Sequence, residues 1–579
     1  MALRICLVTP FAWSQPHDVN EHVVGIAREL RALGHAVTII ASSNRAADLT
    51  AGRVALHNGS FDGDGLLVLG PAVPISRRSR VGVPVGVRTN LARALRDGRF
   101  DVVHGFEPGL PSLSYLALRD AESLAVATFF SPERLSYPPG RAQRERLLGR
   151  IDQLLAVSEH TAEAAAVRFP GAYRIVSEGV DTTLFEPEEK QKLIVLEWRP
   201  AERPLARAAL HTLGELPDWR LTLLRTKPLT PRPYVPRALL DRVDVRTARD
   251  SPSRAAIMNG AAIFVPAAAG MSRLALEAAA SGAAVASPPG VRAQPQLAAA
   301  EMGRLADDEV YRLQKAAGAR AVAEQQTFTD VAHELEEIYE GLRMRKRASR
   351  READPLADRD WIVVDLHMHT NASHDCRVPP DVLLEHAEAE GLGAIAITDH
   401  NVFSGAQEVV QLARDREIVV IPGEEVKTDG QGEVIGLFLR EEIPRGMSFG
   451  DTIAAIKEQG GLVYLPHPFD RMHAIPDAAT LHGHLSQIDV FEVYNARLLF
   501  ETYNDEALRF ARKYNLTVGA GSDAHVLQGL GTGAVRMRAF DGPEEFLVSL
   551  RSAEILRRPK SLLYLQSLKW AAQAKERVR

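Results

Sequence analysis

The stretch DLHMHTNASHDC, residues 365–376, decides the fold of the second half of this 579-residue chain. It completes an apolar run, WIVVDLHMH, that predicts a buried strand ending on His367 and His369. Side chains two apart on a strand point to the same face, so both imidazoles reach one metal ion. A lone pair of this kind is weak evidence, because histidines also end strands without a metal. A metal site therefore requires further ligands downstream.

Such ligands recur, because the apolar runs that follow end on side chains of metal-binding type. Helical patterns separate most of these runs, and strands that alternate with helices predict a parallel sheet. About seven such strands indicate a β/α barrel, in which the site lies at the carboxyl ends of the strands. The runs are AIAITDH with Asp399 and His400, IVVIPGEE with Glu424 and Glu425, GEVIGLF with Glu433, GLVYLPH with His467, VFEVYNA with Glu492 and Asn495, and TVGAGSDAH with Asp523 and His525.

The recurrence predicts a site for several metal ions, with a buried ion-pair network as the alternative. Mixed imidazole and carboxylate ligands favour zinc, manganese or iron over calcium. Several such ions close together polarise phosphoryl oxygens and generate hydroxide near neutral pH. Hydrolysis of a phosphate ester is the chemistry that this ligand set indicates.

The motifs DLHMHT, AITDH, PGEE, HPFDR and GSDAH, in this order, resemble those of the PHP (polymerase and histidinol phosphatase) superfamily. The resemblance covers residues 361–556 and implies a distorted seven-stranded β/α barrel that hydrolyses phosphate esters. It also implies two or three divalent metal ions, manganese, zinc or iron. The ligands that it implies are His367, His369, Asp375, His400, Glu425, His467, Asp523 and His525.

Some of these ligand positions have alternatives. His374 is an alternative to Asp375, and Glu424 is an alternative to Glu425, although the family pattern G-x-E favours the latter. Glu433 stands near a position where many relatives carry a further histidine. The choice between two and three ions therefore stays open.

Two arginines are the predicted catalytic and substrate-binding residues of the barrel. Arg471 follows the HPFD loop and Arg497 follows VYNA, both near the predicted mouth. The planar arginine fork matches a phosphate, and the alternative is a solvated surface position. A loop after HPFDR adds His473, His482 and His484 as candidates for acting on a leaving group.

The first half of the chain alternates strands and helices in two sets, predicted as subdomains at residues 1–185 and 186–342. Two doubly wound α/β halves of this kind enclose a cleft. The stretches VNEHVVGIARELRALGHAVTIIA, DVVHGFEPGLPSLSYLALR and LALEAAASGAAVAS resemble retaining glycosyltransferases of the GT-B fold, particularly the phosphatidylinositol mannosyltransferases. The resemblance implies an α/β fold of two Rossmann-like subdomains with a sugar nucleotide or a lipid phosphate in the cleft.

Several positions that bind the sugar nucleotide in that family are altered here, and each change removes a contact. Glu277 retains the second of two paired glutamates and is a predicted substrate-binding residue. The altered positions are His17 and Asp18 for a Gly-Gly loop, Phe130 for a histidine, Glu197 and Trp198 for Gly-Arg, Pro204 near a lysine, and Ala269 for the first glutamate.

These changes predict a glycosyltransferase-like domain that has lost sugar transfer and still binds a ligand or a partner. An aspartate at the loop, for example, repels a diphosphate. A transferase with an unusual donor and an empty scaffold are the alternatives. For the whole chain, the hypotheses are a metal-dependent phosphoesterase, a bifunctional enzyme with an active transferase half, and a non-catalytic binding protein.

Composition indicates a globular protein outside membranes. The chain is 46% hydrophobic and 25% charged with a net charge of −5, which does not favour nucleic-acid binding. It has 2 cysteines, so we expect a reducing cytoplasm rather than a disulfide framework. No apolar stretch of the sequence reaches the length of a membrane span.

Two segments lie outside the predicted domains. A basic linker is predicted at residues 343–360, with the dense positive run RMRKRASRR. An amphipathic helix is predicted within residues 557–579. Contact of this basic helix with a membrane surface is an alternative to packing on a domain.

Overall fold

The computed structural model describes residues 2–58, 64–74, 82–84, 86–226, 231–267, 272–286, 295–346, 355–561 and 563–568. The chain divides into two compact units, with the boundary between residues 343 and 344. The basic run at 347–354, Ala269 and the tail beyond residue 568 lie outside the described residues. The finer domain boundaries stay predictions.

Among the described residues, the strands of the first unit form two parallel sheets, as the alternation of strands and helices predicts, and one short antiparallel pair, Ala72–Pro74 with Gly82–Pro84. They are β1 Arg4–Val8, β2 Ala36–Ala41, β3 Asp64–Val68, β4 Ala72–Pro74, β5 Gly82–Pro84, β6 Val102–Phe106, β7 Leu124–Phe129, β8 Gln153–Ala156, β9 Tyr173–Ile175, β10 Gln191–Glu197, β11 Arg220–Arg225, β12 Val243–Thr247, β13 Ala261–Val265 and β14 Ala284–Val285.

Within the described ranges, one sheet has the order β3-β2-β1-β6-β7-β8-β9 and a second has the order β12-β11-β10-β13-β14. All pairs in both sheets are parallel. The chain reverses its winding beside β1 and beside β10, which is where ligands bind in open α/β sheets. The predicted pair of Rossmann-like subdomains is confirmed.

Helices cover both sheets of the first unit, and the last of them returns to the first subdomain. The hydroxyl of Tyr339 on that helix, α12, lies 2.7 Å from Nδ1 of His104 on β6. The helices are α1 Asp18–Ala32, α2 Ala46–Asn58, α3 Arg88–Gly98, α4 Leu113–Asp120, α5 Arg141–Leu148, α6 Glu159–Ala166, α7 Arg203–Gly214, α8 Ser251–Met258, α9 Arg273–Ala280, α10 Pro295–Asp307, α11 Glu309–Glu324 and α12 Phe328–Arg343.

The second unit contains one long mixed sheet with helices between its strands. The strands are β15 Trp361–Met368, β16 Ala394–Ile397, β17 Val419–Lys427, β18 Glu433–Leu437, β19 Leu462–Leu465, β20 Val490–Asn495, β21 Val518–Gly521, β22 Gly533–Arg538 and β23 Glu554–Arg557. The helices are α13 Pro380–Ala389, α14 Ser404–Leu412, α15 Phe449–Glu458, α16 Ala478–His484, α17 Glu501–Tyr514 and α18 Gly542–Leu550.

This sheet curls into a nearly closed barrel, which confirms the predicted fold. In the described part of the chain its order is β21-β20-β19-β18-β17-β16-β15-β22-β23, so the predicted seven strands are continuous from β15 to β21. A parallel bridge joins Met368 at the end of β15 to Ala524 just after β21. The carboxyl ends of β15 and β21 therefore lie side by side, as a barrel requires.

One strand departs from the predicted parallel sheet. β18 runs antiparallel to both β17 and β19, so the expectation of a parallel strand is wrong at this position. The cause is the short connection at residues 428–432, which closes a hairpin instead of a helical crossover. Gly430 and Gly432 in that turn have φ angles of 77° and 84°, which favour glycine.

Apolar side chains from neighbouring strands form the core of the barrel unit. Val364 and Leu366 on β15 pack with residues of the other strands in one buried cluster. His367 and His369 alternate with these side chains along the strand and project to the opposite face. The same alternation that builds the core therefore also directs both histidines toward one site.

No helix within the described ranges combines the length and the hydrophobicity that crossing a membrane requires.

Candidate metal centre

The ends of the barrel strands bring the predicted metal ligands into one cluster, in which all but the half-buried Asp375 and His400 are buried. Because β15, β16, β17, β19, β20 and β21 run in the same direction, their carboxyl ends lie at the same edge of the mixed sheet. The ligands lie at or beyond these ends: His367 and His369 at β15, Asp375 in the following loop, His400 after β16, Glu425 on β17, His467 after β19, and Asp523 and His525 after β21.

Glu425 is the centre of this cluster, with only 1% of its surface exposed. Its Oε2 lies 3.3 Å from Nε2 of His367, 3.0 Å from Nδ1 of His400 and 3.5 Å from Nε2 of His369. Its Oε1 lies 3.1 Å from Nε2 of His467. One carboxylate thus faces imidazoles from three different strand ends.

Two further carboxylates connect His525 to the other histidines. Oδ1 of Asp523 lies 3.4 Å from Nε2 of His369 and 3.4 Å from Nδ1 of His525. Oδ2 of Asp375 lies 2.8 Å from Nε2 of His525, and its Oδ1 lies 3.8 Å from Nε2 of His400. The structure therefore brings together every residue that the sequence predicted as a ligand.

The geometry fits divalent metal ions. Nε2 of His369 is fully buried and has no hydrogen-bond partner within the described residues, although it faces carboxylate oxygens. A nitrogen lone pair directed at carboxylates matches a shared metal better than a protein hydrogen bond. Sets of ligand atoms lie within 4.8 Å of one another in four groups: His369, His400 and His525; His367, His467 and Asp523; His367, His369 and Glu425; and His400, Glu425 and Glu433.

Burial and mutual charge shift the pKa values of the cluster in opposite directions. Burial alone would raise the pKa of Glu425, but the charges of His367 and His400 outweigh it and hold this pKa well below its usual range. Burial lowers the pKa of His467 but the neighbouring Glu425 raises it to about 9. Burial and the charge of His525 hold the pKa of His369 well below its usual range. Bound cations would balance the negative charges of the carboxylates, which protonated histidines balance here.

The backbone at two predicted ligands adopts an uncommon conformation. His467 and Asp523 have φ angles of 25° and 51°, in the region that favours glycine. Such residues cost about 1–3 kcal/mol each and cluster at functional sites. The N–H of Asp523 donates to the carbonyl of His367 at 2.7 Å, which holds the strained loop against β15.

The structure distinguishes between the alternative ligands. Oε2 of Glu424 accepts from the N–H of Ile443 at 2.9 Å, so this carboxylate points away from the histidines that Glu425 faces. The ring of His374 lies 5.6 Å from that of His400, centroid to centroid, at the border of the cluster. Oε2 of Glu433 lies 3.8 Å from Nε2 of His467.

The two predicted arginines differ in their contacts. Nη1 of Arg497 donates to Oδ1 of Asp523 at 3.1 Å and lies 3.2 Å from Nε2 of His525. Nη2 of Arg471 lies 3.5 Å from Oε1 of Glu506 on α17. Arg497 is therefore part of the cluster, whereas the ion pair described for Arg471 is directed toward the helix.

Glu492 is a strand-end carboxylate that the sequence analysis noted but did not include among the predicted ligands. It is buried and lies 3.2 Å from Nδ1 of His367, and it accepts a hydrogen bond from Asn495 at 3.1 Å. Residues three apart on a regular strand point to opposite faces, but the register shifts between Glu492 and Tyr494. The carboxylate in VFEVYNA could have indicated this contact. The sequence does not reveal the bulge, however, so it does not predict which way the side chain points.

In the first unit, Glu277 lies in a buried ion pair. Its Oε2 accepts from Nε of Arg254 at 2.6 Å, and its Oε1 accepts from Nη2 of Arg254 at 2.6 Å and from Nε of Arg273 at 3.0 Å. Both arginines also donate to Oε2 of Glu21 on α1 at 2.8 Å. The predicted substrate-binding glutamate therefore has both oxygens engaged by protein groups.

Four other altered positions of this cleft, Asp18, Phe130, Glu197 and Trp198, also have protein partners. Oδ2 of Asp18 lies 3.8 Å from Nη2 of Arg134, and the carbonyl of Asp18 accepts from Arg273. The ring of Phe130 lies 5.0 Å from that of His22. Two more positions are paired nearby: Glu197 with Arg199 at 2.6 Å and with the N–H of Ala267 at 3.1 Å, and Trp198 with the carbonyl of Pro231 at 2.8 Å.

The chain thus has a GT-B-like half and a half with a nearly closed barrel, whose strand ends carry clusters of His, Asp and Glu that could hold metal ions. Residues 19–184 match Glycosyltransferase Family 4, residues 365–516 match the PHP domain, and residues 501–555 match the PHP-associated family. The chain therefore carries a glycosyltransferase family 4 domain in its first half and PHP and PHP-associated domains in its second half. Both predicted resemblances are confirmed.

Individual relatives match parts of the chain. An uncharacterized protein of Methanocaldococcus jannaschii is 34% identical over 213 residues, which cover 34% of this chain and 84% of that protein. The phosphatidyl-myo-inositol mannosyltransferase of Propionibacterium freudenreichii subsp. shermanii is 32% identical over 168 residues, which cover 28% of this chain and 42% of that enzyme. A glycosyltransferase structure from Rickettsia africae, 14% identical, covers 58% of this chain and 98% of that one with a TM-score of 0.40.

Proposed function

We propose that the barrel hydrolyses a phosphate ester with the help of two or three divalent metal ions. The observation that carries this proposal is the convergence of imidazoles from several strand ends on the buried carboxylate of Glu425. The PHP match supports the same class of chemistry. The mixed nitrogen and oxygen donors favour manganese, zinc or iron.

The chain's own residues supply the frame for this reaction. His367, His369, His400, His467 and His525 would hold the ions together with Asp375, Glu425 and Asp523. When bound, such ions polarise phosphoryl oxygens and provide hydroxide near neutral pH. Burial of the cluster excludes bulk water and strengthens each electrostatic contact within it.

Arg497 is the proposed contact for the phosphoryl group. Its side chain is 39% exposed and already donates to Asp523, so it borders both solvent and the cluster. From there it would neutralise the charge that develops on the phosphoryl oxygens. Arg471 would contribute at the outer rim after leaving Glu506. The substrate class is a phosphorylated small molecule or a nucleotide.

The test is the hydrolysis of a panel of phosphate monoesters, nucleotides and short oligonucleotides by the manganese-loaded chain. Asp523→Asn and a chelator-treated sample serve as controls. Release of phosphate or nucleotide by the wild type alone supports the proposal and identifies the substrate class. If the wild type binds manganese but hydrolyses no member of the panel, the result would favour the alternative that the chain is a non-catalytic binding protein.

For the first unit we propose a binding or scaffolding role without sugar transfer. The supporting observation is that Arg254 and Arg273 occupy both oxygens of Glu277 and also bind Glu21 across the cleft. A donor nucleotide would have to displace these contacts. A sugar nucleotide or a lipid phosphate remains the class of ligand that such arginines would bind.

The alternative, an active transferase half, is tested directly. The full chain is incubated with a panel of radiolabelled sugar nucleotides, and release or transfer of the sugar is measured beside Arg273→Ala. No turnover by either protein supports the non-transferring role. Sugar release by the wild type would establish the bifunctional enzyme instead.

The proposal also places the chain in a reducing cytoplasm. Cys6 and Cys376 are both buried, and neither forms a disulfide bond. Burial raises the pKa of the Cys6 thiol and keeps it unreactive. Contact of the basic tail with a membrane surface stays an expectation, because most of that tail lies outside the described residues.

A further inference from the structure

Glu492 on β20 connects the candidate ligands that come from different strands. Its Oε1 lies 3.2 Å from Nδ1 of His367 and accepts from the hydroxyl of Tyr464 at 2.8 Å. Its Oε2 accepts from the backbone N–H of His467 at 2.7 Å and from Nδ2 of Asn495 at 3.1 Å. Each carboxylate oxygen therefore has two donors directed at it.

The partners of Glu492 coincide with one group of candidate ligands. His367, His467 and Asp523 place one ligand atom each within 4.8 Å of the others. Glu492 contacts the first of these through its imidazole and the second through its backbone. It reaches the third through Asn495, whose Nδ2 also lies 3.3 Å from Oδ2 of Asp523. One buried side chain thus supports all members of the group.

The contact to His367 also fixes the tautomer of that imidazole. A carboxylate that faces Nδ1 favours the proton on Nδ1, which leaves the lone pair of Nε2 free. That Nε2 is the atom that faces Oε2 of Glu425 at 3.3 Å and Oδ1 of Asp523 at 3.9 Å. A carboxylate behind a histidine in this way orients the ring and raises its basicity toward a metal.

We infer that Glu492 is a positioning residue for one metal subsite, formed by His367, His467 and Asp523. It does not bind the ion. This inference rests on the proposed metal centre and goes beyond it, because it assigns one ion of the centre to a specific supporting side chain. Another of the four groups, His369, His400 and His525, has other supports, such as the hydroxyl of Ser373 at 3.2 Å from Nδ1 of His369.

The test is isothermal titration of the metal-stripped full chain with manganese chloride. The proteins are the wild type, Glu492→Gln and the matched control Glu424→Gln. Glu424 is also a buried carboxylate, but its described hydrogen bond runs to Ile443. We expect Glu492→Gln to lose about 10–100-fold in affinity for one class of ion, with the other class unchanged. Glu424→Gln is expected to keep the affinity of both classes.

A spectroscopic readout separates positioning from a general loss of structure. The visible absorption of the cobalt-substituted chain reports ligand geometry, so Glu492→Gln is expected to shift these bands whereas Glu424→Gln leaves them in place. Far-ultraviolet circular dichroism checks folding. If Glu492→Gln does not fold, Tyr464→Phe removes one donor to the same carboxylate, and a smaller loss of the same ion is expected.

The outcomes distinguish this inference from the function on which it rests. Unchanged affinities and spectra in folded Glu492→Gln, or in Tyr464→Phe where that variant replaces it, overturn the positioning role while the metal centre stands. Equal losses for both classes of ion overturn its assignment to one subsite. A folded wild type that binds no manganese overturns the proposed metal centre, and the positioning role with it.

Discussion

Nη1 of Arg497 donates a hydrogen bond to Oδ1 of Asp523 at 3.1 Å, which joins the predicted phosphate contact to a predicted metal ligand. We expect Arg497→Ala to lower kcat/KM by about 10–100-fold, because a hydrogen bond to a charged group contributes roughly 1.5–3 kcal/mol. Arg471→Ala is the matched control and is expected to have the smaller effect, since that side chain pairs with Glu506. An equal loss in both variants would contradict the distinction.

Removal of bound metal is expected to destabilise the second unit. Ions that bind only the folded cluster stabilise it by mass action, by about 2.7 kcal/mol when the free ion is at 100 times its Kd. Calorimetry of the full chain with manganese and with a chelator measures this effect. The unfolding transition whose midpoint temperature changes on removal of metal is assigned to the barrel. Equal melting temperatures under both conditions would speak against metal binding by the folded state.

Loss of Arg254 is expected to destabilise the first unit. The change Arg254→Ala leaves the buried carboxylate of Glu277 with half of its compensation, and breaking a buried ion pair typically costs about 3–5 kcal/mol. The exposed pair of Arg141 and Glu145 supplies the control, because Arg141→Ala is expected to change stability little. Denaturant unfolding and calorimetry measure the change in the free energy of unfolding for each variant. Similar effects of the two substitutions would refute the buried network.

The contribution of Glu107 to the stability of the first unit is expected to fall as the pH rises from about 4.5 to 8, whereas His22 and His104, whose pKa values burial lowers to about 3, act in the opposite direction below about pH 6.5. Burial raises the pKa of Glu107 from 4.5 to about 8, although Arg134 opposes this shift. In this window the folded chain retains a proton that the unfolded chain has released, so rising pH favours unfolding. Glu178, whose pKa burial raises to about 7, acts in the same direction.

The comparison of wild type with Glu107→Gln isolates the contribution of Glu107. The substitution removes this titration, so the melting temperature of the wild type is expected to decrease relative to that of the variant as the pH rises from about 4.5 to 8. The barrel transition, identified by its response to chelator, is the internal reference. Parallel curves for the two proteins would show that Glu107 titrates normally in the folded chain.

The sequence was sufficient for much of the site because strand direction is a local property. Apolar runs predict strands, and a parallel arrangement places their carboxyl ends together. Histidines and carboxylates at those ends therefore meet without any knowledge of tertiary contacts. The choice of Glu425 over Glu424 followed from the family pattern, and the structure shows why. Neighbouring side chains on β17 point to opposite faces, so only one of these two faces the histidines.

What the sequence did not predict depends on irregular backbone and on distant pairing. The register shift beside Glu492 brings it to Asn495, against the expectation for residues three apart. β18 is antiparallel because a short turn connects it to β17, whereas the alternation of strands and helices predicts a parallel strand at this position. Arg254 and Glu21 are 233 positions apart along the chain, and no periodicity connects them.

The cluster around Glu425 is the proposed binding site of the divalent ions. The most direct measurement is the metal content of the folded, manganese-equilibrated chain after removal of free ions, by inductively coupled plasma mass spectrometry, beside Glu425→Gln. We predict two or three ions per wild-type chain and a loss of at least one in the variant, because Glu425 faces histidines of several strand ends. A folded wild type without bound ions, or equal content in both proteins, would contradict this account.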